Sequence, residues 1–188
     1  MNIRHLVAIL FSFILTVNAT AQTTAKTAVT TVELGNGWDA VIRTLSAPAK
    51  SKLPPTLYLA DSRGARLADG LTANDPGRIE KQMARLAILA SYNGPVTLYD
   101  LSGADPAVKD YADWAMDLRK TNPAMQRGRA EYFKQDVGDA RTLTVRKLDP
   151  VTGNEVLIVF SDRDTTVPVH GYGAVDVDAW RPEIIVIK

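Results

Sequence analysis

Acidic and basic side chains stand at the ends of two short apolar runs. Asp61 follows Thr56–Ala60, with Arg63 and Arg66 close behind, and Asp100 follows Pro95–Tyr99. At the carboxyl ends of parallel strands, where α/β sites lie, these groups can hydrogen-bond a polar ligand. On an exposed loop they make a local salt bridge instead. Trp38, Trp114 and Trp180 offer rings that a ligand can stack on. Trp114 falls within a helical pattern where it can pack on its neighbours, so Trp38 is expected to be the free one.

Other chemistries are narrowed by what the chain lacks. It has no cysteine and two histidines, His5 and His170, which excludes cysteine-ligated zinc, thiol catalysis and histidine-rich metal sites. His170 has no G-x-S-x-G elbow to serve and reads as a turn residue before Gly171-Tyr172-Gly173. Asp162-Arg163-Asp164 and Asp176-Val177-Asp178 carry oxygens that calcium can use, yet neither matches an EF-hand loop. Turn or strand-edge solvation is the stronger reading for both. No metal, cofactor or catalytic residue is predicted.

The elements that must position these groups begin after a leader. Arg4 and His5 precede an apolar run from Leu6 to Val17, and Ala19-Thr20-Ala21 supplies a small-x-small cleavage site, the layout of a secretory signal peptide. Twelve apolar residues fall short of the roughly 20 that span a bilayer, so no membrane contact is expected after cleavage. Residues 1–21 are thus assigned to a signal peptide, leaving 167 of the 188 residues. Arg4 is the only Lys or Arg lost, which takes the formal charge from +1 to zero. A neutral chain has no excess cation to displace counterions, which argues against nucleic acid. A periplasmic or secreted location is expected. No disulfide can form there without cysteine, so a hydrophobic core must carry stability.

Ala28–Leu34 suits a strand and Trp38–Leu45 a short amphipathic segment, while the proline-rich 46–55 reads as a connector. Thr56–Ala60 and Pro95–Tyr99 are short apolar strands. Between them Asp75-Pro76 suits a helix start, and Ile79, Met83, Leu86, Ala87 and Ala90 recur at helical spacing to about Tyr92. The second half of that helix is apolar almost all round and belongs inside. Asp105-Pro106 opens a second helix, with Val108, Tyr111, Ala112, Ala115 and Leu118 on one face. Strand, helix, strand, helix in this order is a parallel β-α-β-α unit. After Asn122-Pro123 the period becomes two, predicting strands at 130–134, 141–148, 155–161, 166–169, 173–177 and 183–187 in an antiparallel sandwich. The fold class is therefore α/β followed by all-β: a partial barrel-like region over 22–122 and a β-sandwich over 123–188.

The order of these segments resembles the carboxy-terminal part of the α-amylase family of glycoside hydrolases. The likeness rests on TLYLADSRGAR (56–66), RIEKQMARLAILASYNGPVTLY (78–99), WAMDLRKTNPAMQRG (114–128), TLTVRKLDPVTGNEVLIVFSD (142–162) and AWRPEIIVIK (179–188). LRKTNPAMQRG is the most specific of these words. By this resemblance Trp180 belongs to the segment that closes the sandwich, hence to the core.

The departures from the family carry the functional expectation. Retaining glycoside hydrolysis needs two carboxyl groups about 5–5.5 Å apart. The family mounts them on its fourth and fifth barrel strands, upstream of the segments matched here. In its later Asn-His-Asp motif the counterparts are Asp61, Ser62 and Arg63, a cation in place of an acid where positive charge develops on the sugar. The resemblance thus implies a non-catalytic relative: an accessory protein that binds α-glucan or oligosaccharide through Asp61, Arg63, Arg66, Asp100 or Trp38. The alternatives are a protein-interaction module and a truncated glycosidase remnant. Open edges on so small a parallel sheet further predict a homodimer or a protein partner.

Overall fold

Alternating side chains give the central sheet two buried faces. In the computed structural model, which describes residues 38–46, 57–58, 65–68, 70–98 and 101–187, strands β3 (Arg129–Val137), β4 (Ala140–Leu148), β5 (Glu155–Ser161) and β8 (Glu183–Ile187) form an antiparallel sheet in the order β3-β4-β5-β8. Successive residues of a strand point to opposite faces. Val156, Ile158 and Phe160 of β5 join Leu143 and Val145 in the core shared with the helices. Leu157 and Val159 join a smaller core with the hairpin of β6 (Thr165–Val169) and β7 (Gly173–Val177). The all-β part is thus an antiparallel four-stranded sheet plus a two-stranded hairpin, and β5, β7 and β8 coincide residue for residue with their predicted spans.

The helices lie on the first face. Helix α1 (Asp39–Ser46) precedes α2 (Arg78–Ser91), α3 (Pro106–Thr121) and the five-residue α4 (Pro123–Arg127). The run Gln82–Ser91 of α2 is buried throughout, as its all-round apolar character demands. Short strands β1 (Leu57–Tyr58) and β2 (Val96–Thr97) pair in parallel, Leu57 with Val96 and Tyr58 with Thr97, within the predicted β-α-β unit. The described residues contain no closed barrel. The predicted strand 28–34 lies outside the described residues, as does the leader.

Helix starts show why one Asp-Pro pair caps and another does not. The Asp105 side chain accepts from the Ala107 amide at 2.9 Å, with Pro106 at the first position, as predicted. Asp75 instead accepts from the Thr72 amide at 2.7 Å, and α2 starts later, behind Gly77 at φ 68°. The Asp75 carbonyl accepts from Arg78 N, so Asp-Pro-Gly completes a turn before the helix begins. Trp180 packs where a Gly77 Cβ would stand, its Cδ1 only 3.2 Å away.

The segment 122–128, where helices give way to strands, is tied into the core by cations. Arg119 donates to the carbonyls of Ala90 (2.8 Å), Tyr92 (2.7 Å), Met125 (3.4 Å) and Gly94 (2.6 Å). These include the frayed carbonyl end of α2, where cations are favoured. Lys147, only 1% exposed, donates to the Ser91 carbonyl, to Asn93 Oδ1 at 2.7 Å and to the Met125 carbonyl at 2.7 Å. Burial, then the Arg119 charge, pushes the Lys147 ammonium down to about 7. Asn122 caps α4 by accepting from the Ala124 amide, and Arg127 clamps the buried Asp149 at 3.2 and 3.0 Å. A Cβ on Gly128 would fall 2.5 Å from the Ala124 carbonyl oxygen. The most specific word of the sequence is thus a structural joint.

Candidate functional site

The hairpin covers only part of the sheet's second face, and the uncovered part is a cleft of about 440 Å³. Strand alternation places Phe133 and Gln135 of β3, Thr144 and Arg146 of β4, and Glu155 and Leu157 of β5 on its floor. Register brings Phe133 opposite Thr144, and Arg146 opposite both Glu131 and Leu157. The far wall is the β6–β7 turn, where the Tyr172 amide donates to the Val169 carbonyl at 3.0 Å. Gly171 at φ 78° and Gly173 at φ 119° give that turn the left-handed backbone it needs. Gln135 Nε2 donates to the Pro168 carbonyl at 3.1 Å, fastening the turn to the sheet.

Two exposed aromatic rings line the cleft together with polar groups that are already paired. Phe133 is 52% exposed and Tyr172 46%, unusual for rings of this size in a folded chain. On the same floor Arg146 holds Glu155 in a two-pronged pair, Nε to Oε1 at 2.7 Å and Nη2 to Oε2 at 2.9 Å. The hydrogen bond from Arg146 lowers the Glu155 carboxyl against the opposing effect of burial, and the same bond raises Arg146. Both remain charged through the neutral range. Arg146 Nη1 also lies 3.6 Å from Glu131 Oε2, and the Glu155 lone pairs beyond those in the fork stay available to a ligand. A rigid, mostly apolar cleft with a few fixed polar groups is the common form of a small-ligand site. It can hold a polar ring, and His170 of the β6–β7 turn also lines it.

The sequence-predicted site residues fare differently. Asp61, Arg63 and Asp100 lie outside the described residues, and Arg66 belongs to the 3₁₀ turn Ala65–Ala68. Trp38 corrects the expectation of a free stacking ring. It is 4% exposed, donates Nε1 to the Arg141 carbonyl at 3.0 Å, and packs 5.5 Å from both Phe160 and Trp180. Its spacing explains this, because Trp38, Val41 and Leu45 form an i, i+3, i+7 stripe whose members are all buried. Trp180 joins the core, as the resemblance implied. Trp114, expected to pack on its neighbours, touches Tyr111 but remains 45% exposed.

The acidic triplets have structural partners. Asp162 accepts from the Arg141 amide and Nε at 2.8 and 2.7 Å, Asp164 from the Ala179 amide at 2.7 Å, and Asp176 from the Thr166 hydroxyl at 2.6 Å. Among the described residues no group of three or more His, Asp or Glu side chains is placed to hold a metal ion. The cleft residues Phe133, Arg146, Glu155 and Tyr172 were not singled out from the sequence. The available signal was a large aromatic on the face of β3 opposite to that of Tyr132, among polar residues.

No protein-family model matches the chain, and no curated protein matches it. Solved structures do. A variant of AmyP in complex with maltotriose superposes with a TM-score of 0.50 at 15% identity, over 71% of this chain and 41% of that one. AmyP in complex with maltose gives a TM-score of 0.50 at 15% identity, over 70% and 40%. An acarbose-soaked debranching enzyme of Nostoc punctiforme aligns at 15% identity with a TM-score of 0.48, over 69% of this chain and 33% of its own. The chain spans about two fifths of the length of AmyP. At this identity the likeness is one of fold.

Proposed function

We propose that this chain, with its distant structural likeness to α-amylase-type enzymes, is a non-catalytic oligosaccharide-binding accessory protein that works in the periplasm or outside the cell. The Phe133–Tyr172 cleft carries the reading. Two exposed rings offer apolar faces to the C–H surfaces of a sugar, and the Arg146–Glu155 fork with Gln135 and Thr144 offers donors and acceptors to its hydroxyls. The paired charges supply orientation without acid–base chemistry. The ligands named for the AmyP structures, maltose and maltotriose, make α-linked glucose the first class to test. Export rests on the signal-peptide pattern of residues 1–21.

Isothermal titration with maltotriose to maltoheptaose, amylopectin and a β-linked control tests the proposal. Saturable heat with the α-glucans, lost on Phe133→Ala plus Tyr172→Ala, is expected. No heat with any α-glucan at millimolar concentration removes it. Self-association is a second reading, favoured because β3 and β8 are the outer strands of the sheet and unpaired edges invite a further strand. A monomeric mass by light scattering on the mature chain eliminates that reading.

A further inference from the structure

Histidine is the residue type whose charge changes between about pH 5 and 8, and His170 is the one histidine among the described residues. It stands exposed on the β6–β7 turn and lines the same cleft as Phe133, Arg146, Glu155 and Tyr172. Its imidazole makes no hydrogen bond or ion pair with another described residue. The charged groups of the floor are committed by contrast. Arg146 forks Glu155 and reaches toward Glu131, which sets two carboxylates against one guanidinium. The Arg146 hydrogen bond holds the Glu155 carboxyl low, and the same bond raises Arg146, so the pair does not change charge near neutrality. From β3 and β8 the cleft receives only uncharged side chains, Phe133, Gln135 and Ile187, and the turn adds the Tyr172 phenol.

An empty cleft and a filled one treat a charged imidazole differently. While water fills the cleft, an imidazolium is solvated and shares the space with a floor that has one carboxylate in excess. A neutral oligosaccharide displaces that water and occupies the free Glu155 lone pairs, and lost solvent disfavours the charged form. The neutral ring gives up less, and its one donor and one acceptor both suit sugar hydroxyls. We propose that His170 makes the cleft a pH-dependent site, which holds a neutral saccharide while the imidazole is uncharged and releases it on acidification. The proposal rests on the oligosaccharide-binding reading and adds the regulation of that site. Binding on the acid side of neutrality then expels a proton, so affinity falls as pH falls. Lys147 also changes charge near pH 7. It is held on the opposite face of the sheet by Ser91, Asn93 and Met125, so its titration acts on stability and leaves the cleft alone.

Isothermal titration with maltoheptaose at about pH 5.5 and about pH 8, on either side of the histidine range, tests the proposal. Circular dichroism at each pH confirms that the chain stays folded. Wild-type affinity should be about fivefold lower at the acid pH, within the tenfold that one group displaced by one pH unit supplies. Midway between, heats in two buffers of different protonation enthalpy should differ, which reports the expelled proton. His170→Gln keeps a hydrogen-bonding side chain without the charge, and should bind equally at both pH values with no buffer difference. Lys147→Met should retain the wild-type dependence. Wild-type affinity that is the same at both pH values, or a His170→Gln protein that keeps the dependence, overturns the proposal and leaves the binding reading standing. Absence of heat at either pH with every α-glucan overturns both.

Discussion

The two faces of the four-stranded sheet use charge in opposite ways. On the helix face, Arg119 and Lys147 are buried cations whose partners are neutral oxygens, mostly main-chain carbonyls at the end of α2 and in α4. On the hairpin face, Arg146 is paired with Glu155 at the edge of water and flanked by exposed rings. The first arrangement supplies donors, in place of water, to main-chain carbonyls at a buried chain turn. The second leaves lone pairs and ring faces uncovered. Under the proposed function, stability and recognition sit on opposite sides of one sheet, and substitutions should separate them.

The largest effect should follow from removing the Arg119 clamp. Arg119→Ala strips a donor from four carbonyls, of which Met125 keeps Lys147 and Tyr92 keeps the Gly94 amide; the carbonyls of Ala90 and Gly94 are left unmatched, at about 1–3 kcal/mol each. A decrease of about 2 kcal/mol or more in urea unfolding is therefore expected. Arg119→Lys should rescue little, because a single ammonium cannot span the fork. A loss below about 1 kcal/mol would mean that the joint does not hold the two regions together.

Lys147 should show itself through pH. Its ammonium has three hydrogens and three oxygen acceptors; deprotonation leaves one acceptor unmatched. Burial nonetheless holds its folded-state value at about 7, against 10.5 for an ordinary lysine. The folded protein then binds fewer protons than the unfolded chain between these limits, and stability rises with pH in that window. The stabilising contribution is full above 10.5 and lost as pH falls through 7. Comparing the wild type with Lys147→Met from pH 7 to 9.5 should give a slope difference of up to about 1 kcal/mol per pH unit. Parallel curves would show that the ammonium is not disfavoured by its burial.

On the hairpin face the same measurements should be nearly silent. Phe133→Ala or Tyr172→Ala should leave the urea midpoint within about 0.5 kcal/mol of wild type, as for other exposed positions. Each should weaken α-glucan binding about tenfold, or roughly 1.4 kcal/mol. A variant that unfolds as readily as Arg119→Ala would tie recognition to the core and break the separation. Arg146→Met is the sharper test, since it leaves Glu155 without the donor that keeps its carboxyl low.

The same contrast governs what could be read from the residues beforehand. Strands were legible because period-two alternation and turn residues such as Asp149-Pro150 and Gly153-Asn154 are local signals. Helix α4 was not, because five residues hold too little periodicity to distinguish a capped turn from a linker. LRKTNPAMQRG stood out as a word, but its residues turn out to serve the joint: Arg119 spans carbonyls, Asn122 caps, Met125 is buried and Gly128 makes room. Recognition surfaces built across strands carry no such word. Phe133, Arg146 and Glu155 come together only through register. The stripe of Trp38, Val41 and Leu45, a property of three residues together, is what buries Trp38.

The smallest expected effect tests local legibility itself. Asp75-Pro76 and Asp105-Pro106 are the same dipeptide before a helix, yet only Asp105 hydrogen-bonds a helical amide. The residue after the proline differs. Ala107 continues the helix, whereas Gly77 adopts a left-handed backbone and ends a separate turn. Asp105→Ala should therefore cost about 1 kcal/mol, the usual value of an N-cap. Asp75→Ala loses only an exposed bond within the preceding loop and should cost about half as much or less. Gly77→Ala does not convert the second pair into the first, because its Cβ would meet Trp180 and its φ would be strained. Equal losses in Asp75→Ala and Asp105→Ala, read from urea midpoints, would place the start of α2 at Asp75 and restore the simpler rule that Asp-Pro begins a helix wherever apolar periodicity follows.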